Sequence, residues 1–373
     1  MPCWTSDSCV HFSFSRSAAS SYTPHATCPT GGTFLRRRST RCSTSSPNRK
    51  SNEGVKAVKA ELFRVDVERK PSVLTQLATE LRRENPWVAT DISAASRIVL
   101  LGMGSSHYAN SVAAARLRSI GVDAIAEIAS SDLLPAVREG TVVIAVSASG
   151  GSVETLDAVG RYEGQCPIIA LTNVDGSDVA GMATRTLLMG AEKEEGGVAC
   201  RSFLHTLALL LALESHLGGE VGLQAVLAKA SAATADLIDR QDDWLPRLSE
   251  LAIGPHGTHL VAPARRMSSA QQGSLMLREG PRLAATGCET GDWSHVDVYL
   301  TKTTDYRLVL FAGSRWEPQL LTWVSERGST LVAVGRELEG SAFDLRYRHD
   351  DDDDVRLLAE VTVAELLAAS LWQ

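Results

Sequence analysis

A chain of 373 residues, 44% of them hydrophobic, is long enough for two globular domains with sizeable cores. A formal charge of −7 argues against nucleic acid as a partner, and the longest apolar run, residues 207–213, falls far short of the ~18 residues that span a membrane. None of the seven cysteines forms a C-x-x-C pair, which leaves no zinc or disulfide framework and fits a reducing, cytoplasmic setting without metal or cofactor.

The first fifty residues stand apart. They hold seven Lys/Arg against one acid, Asp7, leaving the remainder a net charge of −13. Rich in Ser and Thr and without apolar periodicity, residues 1–53 are expected to be a tail that does not fold alone. Such an Arg/Ser-rich leader is either a disordered or upstream-translated segment or a transit peptide. A helical pattern over 65–84 then leads into the first lobe, 54–220. Strand candidates at 98–101, 124–128, 142–146, 167–171 and 186–189 alternate with helices at 108–120 and 153–159, and an apolar helix over 198–216 closes the lobe. Regular alternation of this kind predicts a parallel sheet covered on both faces. A helix over 221–238, within a connecting stretch 221–245, leads to a second lobe, 246–373. There strands are expected at 259–262, 307–311 and 330–334, and helices at 269–278 and 320–327. The five aspartates at 350–354 read as a solvated, self-repelling loop, since adjacent carboxylates do not converge on one ion.

Two strand-to-helix junctions carry the chemistry. Ser147-Ala148-Ser149-Gly150-Gly151-Ser152 joins the strand at 142–146 to a helix, and Gly102-Met103-Gly104-Ser105-Ser106 does the same after 98–101. A helix N-terminus presents free N–H groups and the positive end of a dipole, and glycine lets backbone approach an anion. Both loops serve either as helix caps or as a phosphate cradle. They are neither a Walker loop, lacking Gly-Lys-Ser/Thr, nor a dinucleotide fingerprint, because G-x-G-x-x-G fails at His107-Tyr108-Ala109.

Gly104-Ser105-Ser106, the S-x-S-G-x-S loop and Gly197-Val198-Ala199-Cys200-Arg201 resemble the sugar isomerase (SIS) domain family, and within it the isomerase half of the glucosamine-6-phosphate synthases. The resemblance covers about residues 60–373 as two consecutive lobes, which implies an α/β fold of two mostly parallel, flavodoxin-like sandwiches. It implies a phosphorylated sugar or amino sugar bound by Gly104, Ser105, Ser106, Ser147, Ser149, Gly150 and Ser152, with Glu194 beside the sugar and Cys200 lining the pocket. Gly273 to Glu279 matches the helix of the family's proton-transfer glutamate, and Gly291 to His295 its ring-opening histidine, so Glu279 and His295 are the expected catalytic pair. Aldose–ketose interconversion needs both: a base to move a carbon-bound proton and a group near neutral pKa. A homodimer follows, because in that family the histidine comes from the neighbouring subunit.

The chain also departs from the family. Met276 replaces a lysine and cannot form a Schiff base, Gln272 replaces a glutamate, and Ala148 and Gly151 replace glutamine and glutamate. The fifty residues ahead of the lobes are too few for a glutaminase domain. The expected function is therefore isomerisation or deaminating isomerisation of a hexose or hexosamine phosphate. The alternative is a non-catalytic phosphosugar-binding or regulatory module. His205, on an apolar helix, reads as a core residue.

Overall fold

The computed structural model describes residues 49–372. Residues 1–48 of the expected tail lie outside the described residues, and the boundary at 53/54 falls inside the first helix. Thirteen α-helices and ten strands follow among the described residues. The first lobe comprises α1 (Arg49–Glu68), α2 (Lys70–Arg83), β1 (Arg97–Gly102), α3 (Gly104–Ser119), β2 (Ala124–Ile128), β3 (Thr141–Val146), α4 (Val153–Gly160), β4 (Ile168–Thr172), α5 (Asp178–Met182), β5 (Arg185–Leu188) and α6 (Arg201–His216). Two helices connect the lobes, α7 (Leu223–Asp239) and α8 (Gln241–Ala252). The second lobe comprises β6 (Thr258–Ala262), α9 (Met267–Glu279), β7 (Ala285–Glu289), α10 (Thr290–Trp293), β8 (Arg307–Phe311), α11 (Glu317–Glu326), β9 (Thr330–Val334), β10 (Phe343–Leu345), α12 (Asp353–Ala359) and α13 (Val361–Leu371).

Each lobe holds one five-stranded sheet, ordered β2-β1-β3-β4-β5 and β10-β9-β8-β6-β7, and every pairing is parallel. The central strands read as near-continuous apolar runs because both of their faces are covered: β1 and β3 are buried along their whole length. Along β1, Ile98 and Leu100 face a large core shared by both lobes, while Val99 and Leu101 face a separate outer core with Val143 and Ala145. In the second lobe Val261, Leu308 and Leu310 face a third core around Trp293 and Tyr306. The helices between the sheets therefore form one packed middle layer, in which α3 meets α9 and α2 meets α7.

The two orders are the same topology. In each lobe the first and third strands lie side by side, and the chain leaves them in opposite directions. That junction is the switch point, where the loops at the carboxyl ends of the strands part and leave a crevice.

The aspartate run differs from expectation. It is not a self-repelling loop, because the fold supplies a cation to most of it. Asp350 bonds Arg346 at 2.9 Å, Asp352 bonds Lys229 at 3.0 Å, Asp353 pairs with Arg265 and Arg266, and Asp354 pairs with Arg116 at 2.7 Å. Asp352 also caps α12 by accepting from the amides of Asp354 and Val355. The charges that repel one another in the sequence are drawn apart by Arg346, four residues before the run, and by four basic residues distant along the chain.

Candidate active site

The first lobe's switch point opens into a cavity of about 1080 Å³. The loop after β1 brings Gly104, Ser105 and Ser106 to its wall, and the loop after β3 brings Ser147, Ser149 and Ser152. These two sequence-predicted loops thus meet on one site. The serine loop is held from within. Gly150 donates to Ser147 O at 3.1 Å and to Ser147 Oγ at 3.2 Å, and Gly151 donates to Ser149 Oγ at 3.4 Å. The hydroxyl hydrogens of Ser147 and Ser149 stay available, as do the first amides of the eight-residue helix α4, which have no intrahelical acceptor. Gly150 itself does not line the cavity. Its φ of +68° lies in the left-handed region, and a Cβ there would meet Ser177 Oγ at 2.2 Å, so it is the residue that lets the loop turn against its support.

The opposite wall comes from the other lobe. Glu279 ends α9 and lines the cavity with Leu275. Its carboxylate makes no hydrogen bond among the described residues. Partial removal from water raises its pKa above the ordinary carboxylate value, with Arg278 opposing the rise. Met276, where the family has a lysine, is buried. Gln272 donates to Ala199 O at 2.7 Å, which ties α9 to the loop ahead of α6.

Besides Gly150, three expected site residues have other placements. Glu194 is on the wall, but its carboxylate accepts from the amides of Cys200 (2.6 Å), Arg201 (2.6 Å) and Ser202 (3.1 Å), and from Ser202 Oγ (2.7 Å). It caps α6 and fixes the wall instead of presenting a free acid to a ligand. Cys200 does not line the cavity: it is fully buried behind the wall, and burial holds its thiol well above the ordinary cysteine pKa. His295 follows α10 on an exposed turn of the second lobe and is not on this cavity within the one chain. His205 is a core residue, as read from sequence. It shares a 2.8 Å hydrogen bond with Met189 O, and burial lowers its pKa to about 4.

Several wall residues were not foreseen. Asn173, just after β4, donates through its amide nitrogen to Glu192 O at 2.6 Å and accepts from the Ala191 amide at 3.0 Å. It follows a strand at the same sheet edge as the two serine loops, so the strand-end rule could have found it. Glu192 and Lys193 belong to a charged loop that looks solvated in sequence, and only the fold brings it to the cavity.

The second lobe's switch point is filled by the protein itself. After β8 the amides of Gly313 and Ser314 donate to Glu317 Oε1, the latter at 2.8 Å. After β6, Arg266 pairs with Glu360 and donates to Ala312 O at 2.6 Å; both charged side chains are essentially inaccessible. A Cβ at Gly313, whose φ is +130°, would meet the guanidinium nitrogens of Arg266 and Arg356 at 2.8 Å.

Residues 91–215 match the family model described as SIS domain. The chain carries a SIS domain. The glutamine–fructose-6-phosphate aminotransferase of Sulfurisphaera tokodaii is 23% identical over 282 residues, 75% of this chain and 46% of that protein. The chain spans about half the length of such curated relatives, or less. Among solved structures, tagatose-6-phosphate ketose/aldose isomerase from Escherichia coli superposes with a TM-score of 0.70 at 15% identity, covering 84% of this chain and 93% of that one. The C-terminal domain of glucosamine-fructose-6-phosphate aminotransferase from Francisella tularensis gives 0.66 at 16%, covering 82% and 94%. These superpositions extend over both lobes and show the same α/β fold of two parallel sheets flanked by helices. Among the described residues no helix is long and apolar enough to cross a membrane, and no cluster of His, Cys, Asp and Glu could hold a metal ion.

Proposed function

We propose that this SIS protein binds a hexose or hexosamine phosphate and interconverts its aldose and ketose forms, with or without loss of an amino group. The carrying observation is a cavity that faces two serine-rich helix N-termini with the unpaired carboxylate of Glu279, which ends α9 on its wall. The phosphate is held by the amides at the start of α4 and the hydroxyls of Ser105, Ser106, Ser147 and Ser149. The sugar then extends toward α9, where Glu279 takes a proton from one carbon and returns it to its neighbour. A carboxylate lifted toward neutrality by burial is a stronger base than an exposed one, which suits it to this role. Proton exchange at C2, followed by NMR across a panel of hexose and hexosamine phosphates, tests the reading. Binding without exchange makes the protein a phosphosugar-binding module; neither binding nor exchange ends the reading.

The same reading includes a homodimer in a reducing, cytoplasmic setting, where Cys166, Cys200 and Cys288 stay as free thiols. His295 stands beside exposed Val296, Tyr299 and Leu300, an apolar stretch that suits contact with a second copy. His295 of the partner subunit would then assist ring opening. Light scattering at micromolar concentration is expected to give twice the chain mass; a monomer that still binds the sugar phosphate refutes the dimer.

A further inference from the structure

Of the Lys, Arg and His side chains among the described residues, only Lys193 reaches the cavity wall, where Asp175, Glu192, Glu194 and Glu279 supply four carboxylates. Two of these are already neutralised: Glu192 by Arg69 and Arg201, Glu194 by the amides that begin α6. Asp175 and Glu279 form no ion pair among the described residues. An entering phosphate dianion therefore meets neutral N–H and O–H donors on one side, uncompensated negative charge on the other, and one cation.

We propose that Lys193 is a ligand-binding residue of this cavity and sets its preference for anionic over neutral sugars. This rests on the phosphosugar reading above. The backbone that carries Lys193 is fixed while its side chain is free. Glu192, just before it, has φ of +57°, a left-handed conformation that a non-glycine residue keeps only where its surroundings enforce it. Enforcement comes from Asn173, which bonds Glu192 O, and from Arg201, which donates to Lys193 O. The backbone N–H of Asn173 in turn donates to Ala148 O at 3.1 Å, so the Lys193 strap is tied to the serine loop itself. Among the described residues the ammonium group, by contrast, bonds only Glu195, two residues along the same strap, at 2.9 Å, and the two side chains are 80% and 49% exposed. So exposed an ion pair is weak and exchangeable. Exchanging Glu195 for a phosphate inside the concave, partly desolvated site trades a weak partner for a stronger one.

Calorimetric titration of the full chain with fructose 6-phosphate, glucosamine 6-phosphate and unphosphorylated fructose, at low and high salt, tests this. Lys193→Met is expected to weaken both phosphates about 10- to 100-fold, the worth of one charge-assisted hydrogen bond. It should leave fructose unchanged and flatten the salt dependence, while Lys193→Arg retains most of the affinity and Glu195→Gln binds as tightly as the wild type or tighter. Lys193→Gln serves as a second neutral variant, and an unchanged melting temperature separates a binding effect from a folding one. Equal phosphate affinity in wild type and both neutral variants overturns the role of Lys193 alone. Equal losses for phosphates and fructose also overturn it. A wild type that binds no sugar phosphate overturns the phosphosugar reading and this inference with it.

Discussion

The two lobes have one strand order and two fates. At the first switch point, the turns after β1 and β3 expose serine hydroxyls and helix amides to an open cavity. At the second, the turn after β8 closes on Glu317, and the turn after β6 sends Arg266 inward to Glu360. Both lobes thus place anion-seeking groups at the same topological position. What separates an open switch point from a filled one is whether the chain's own carboxylates have already claimed those groups. Within the first lobe the principle recurs on a smaller scale, where Glu194 caps the N-terminus of α6, while α4 has no side-chain cap from its N-cap residue Ser152.

The contrast can be broken from the second lobe first. Arg266→Met removes the partner of a fully buried carboxylate and is expected to destabilise the fold by about 3–5 kcal/mol. Adding Glu360→Leu should restore much of that loss. Chemical denaturation of both variants measures it, and sugar phosphate affinity in the folded protein should stay at the wild-type level. From the first lobe's side, Glu279→Gln keeps the shape of the site and removes its base. C2 proton exchange should fall about 10²- to 10⁴-fold while binding persists. Because the Glu279 pKa is raised, wild-type activity should fade on acidification at a higher pH than an ordinary carboxylate would give, as the base takes up its proton. Exchange at the wild-type rate in the variant would remove Glu279 from the mechanism. The finest test pairs the two turns directly. Ser149→Ala should weaken a phosphosugar about 10- to 100-fold, whereas Ser314→Ala, beside the turn filled by Glu317, should leave binding unaltered. Equal effects would show that the lobes are not divided as described.

Much of this division can be traced in the sequence, but not all of it. Apolar runs bounded by Gly and Ser mark the central strands, and β2, β8 and β9 begin and end where the pattern predicts. The strand β7, Ala-Thr-Gly-Cys-Glu, has almost no hydrophobic signature because it lies at a sheet edge, and β10 has only three residues. The helix α8 contains Pro246, which reads as a breaker. In the site, the serine loops are legible because turn chemistry is local. Glu194, Cys200 and Lys193 are not, since their roles depend on which side of a wall the chain passes. A carboxylate that caps a helix six residues ahead and one that contacts a sugar have the same spelling.

One buried contact has a consequence in time. Lys70, at the start of α2, is wholly enclosed and bonds Glu365 and Thr362 of α13. Glu365 is 295 residues further on. At synthesis rates of about 5–20 residues per second, the lysine waits roughly 15–60 s for its counter-charge to be made. Until then the helix that flanks the first sheet lacks the partner that seals it, since an ammonium group without a counter-ion is not readily buried. The first lobe to emerge from the ribosome is thus among the last parts of the molecule to be completed. A nascent chain halted before α13 should remain open to proteases around α2.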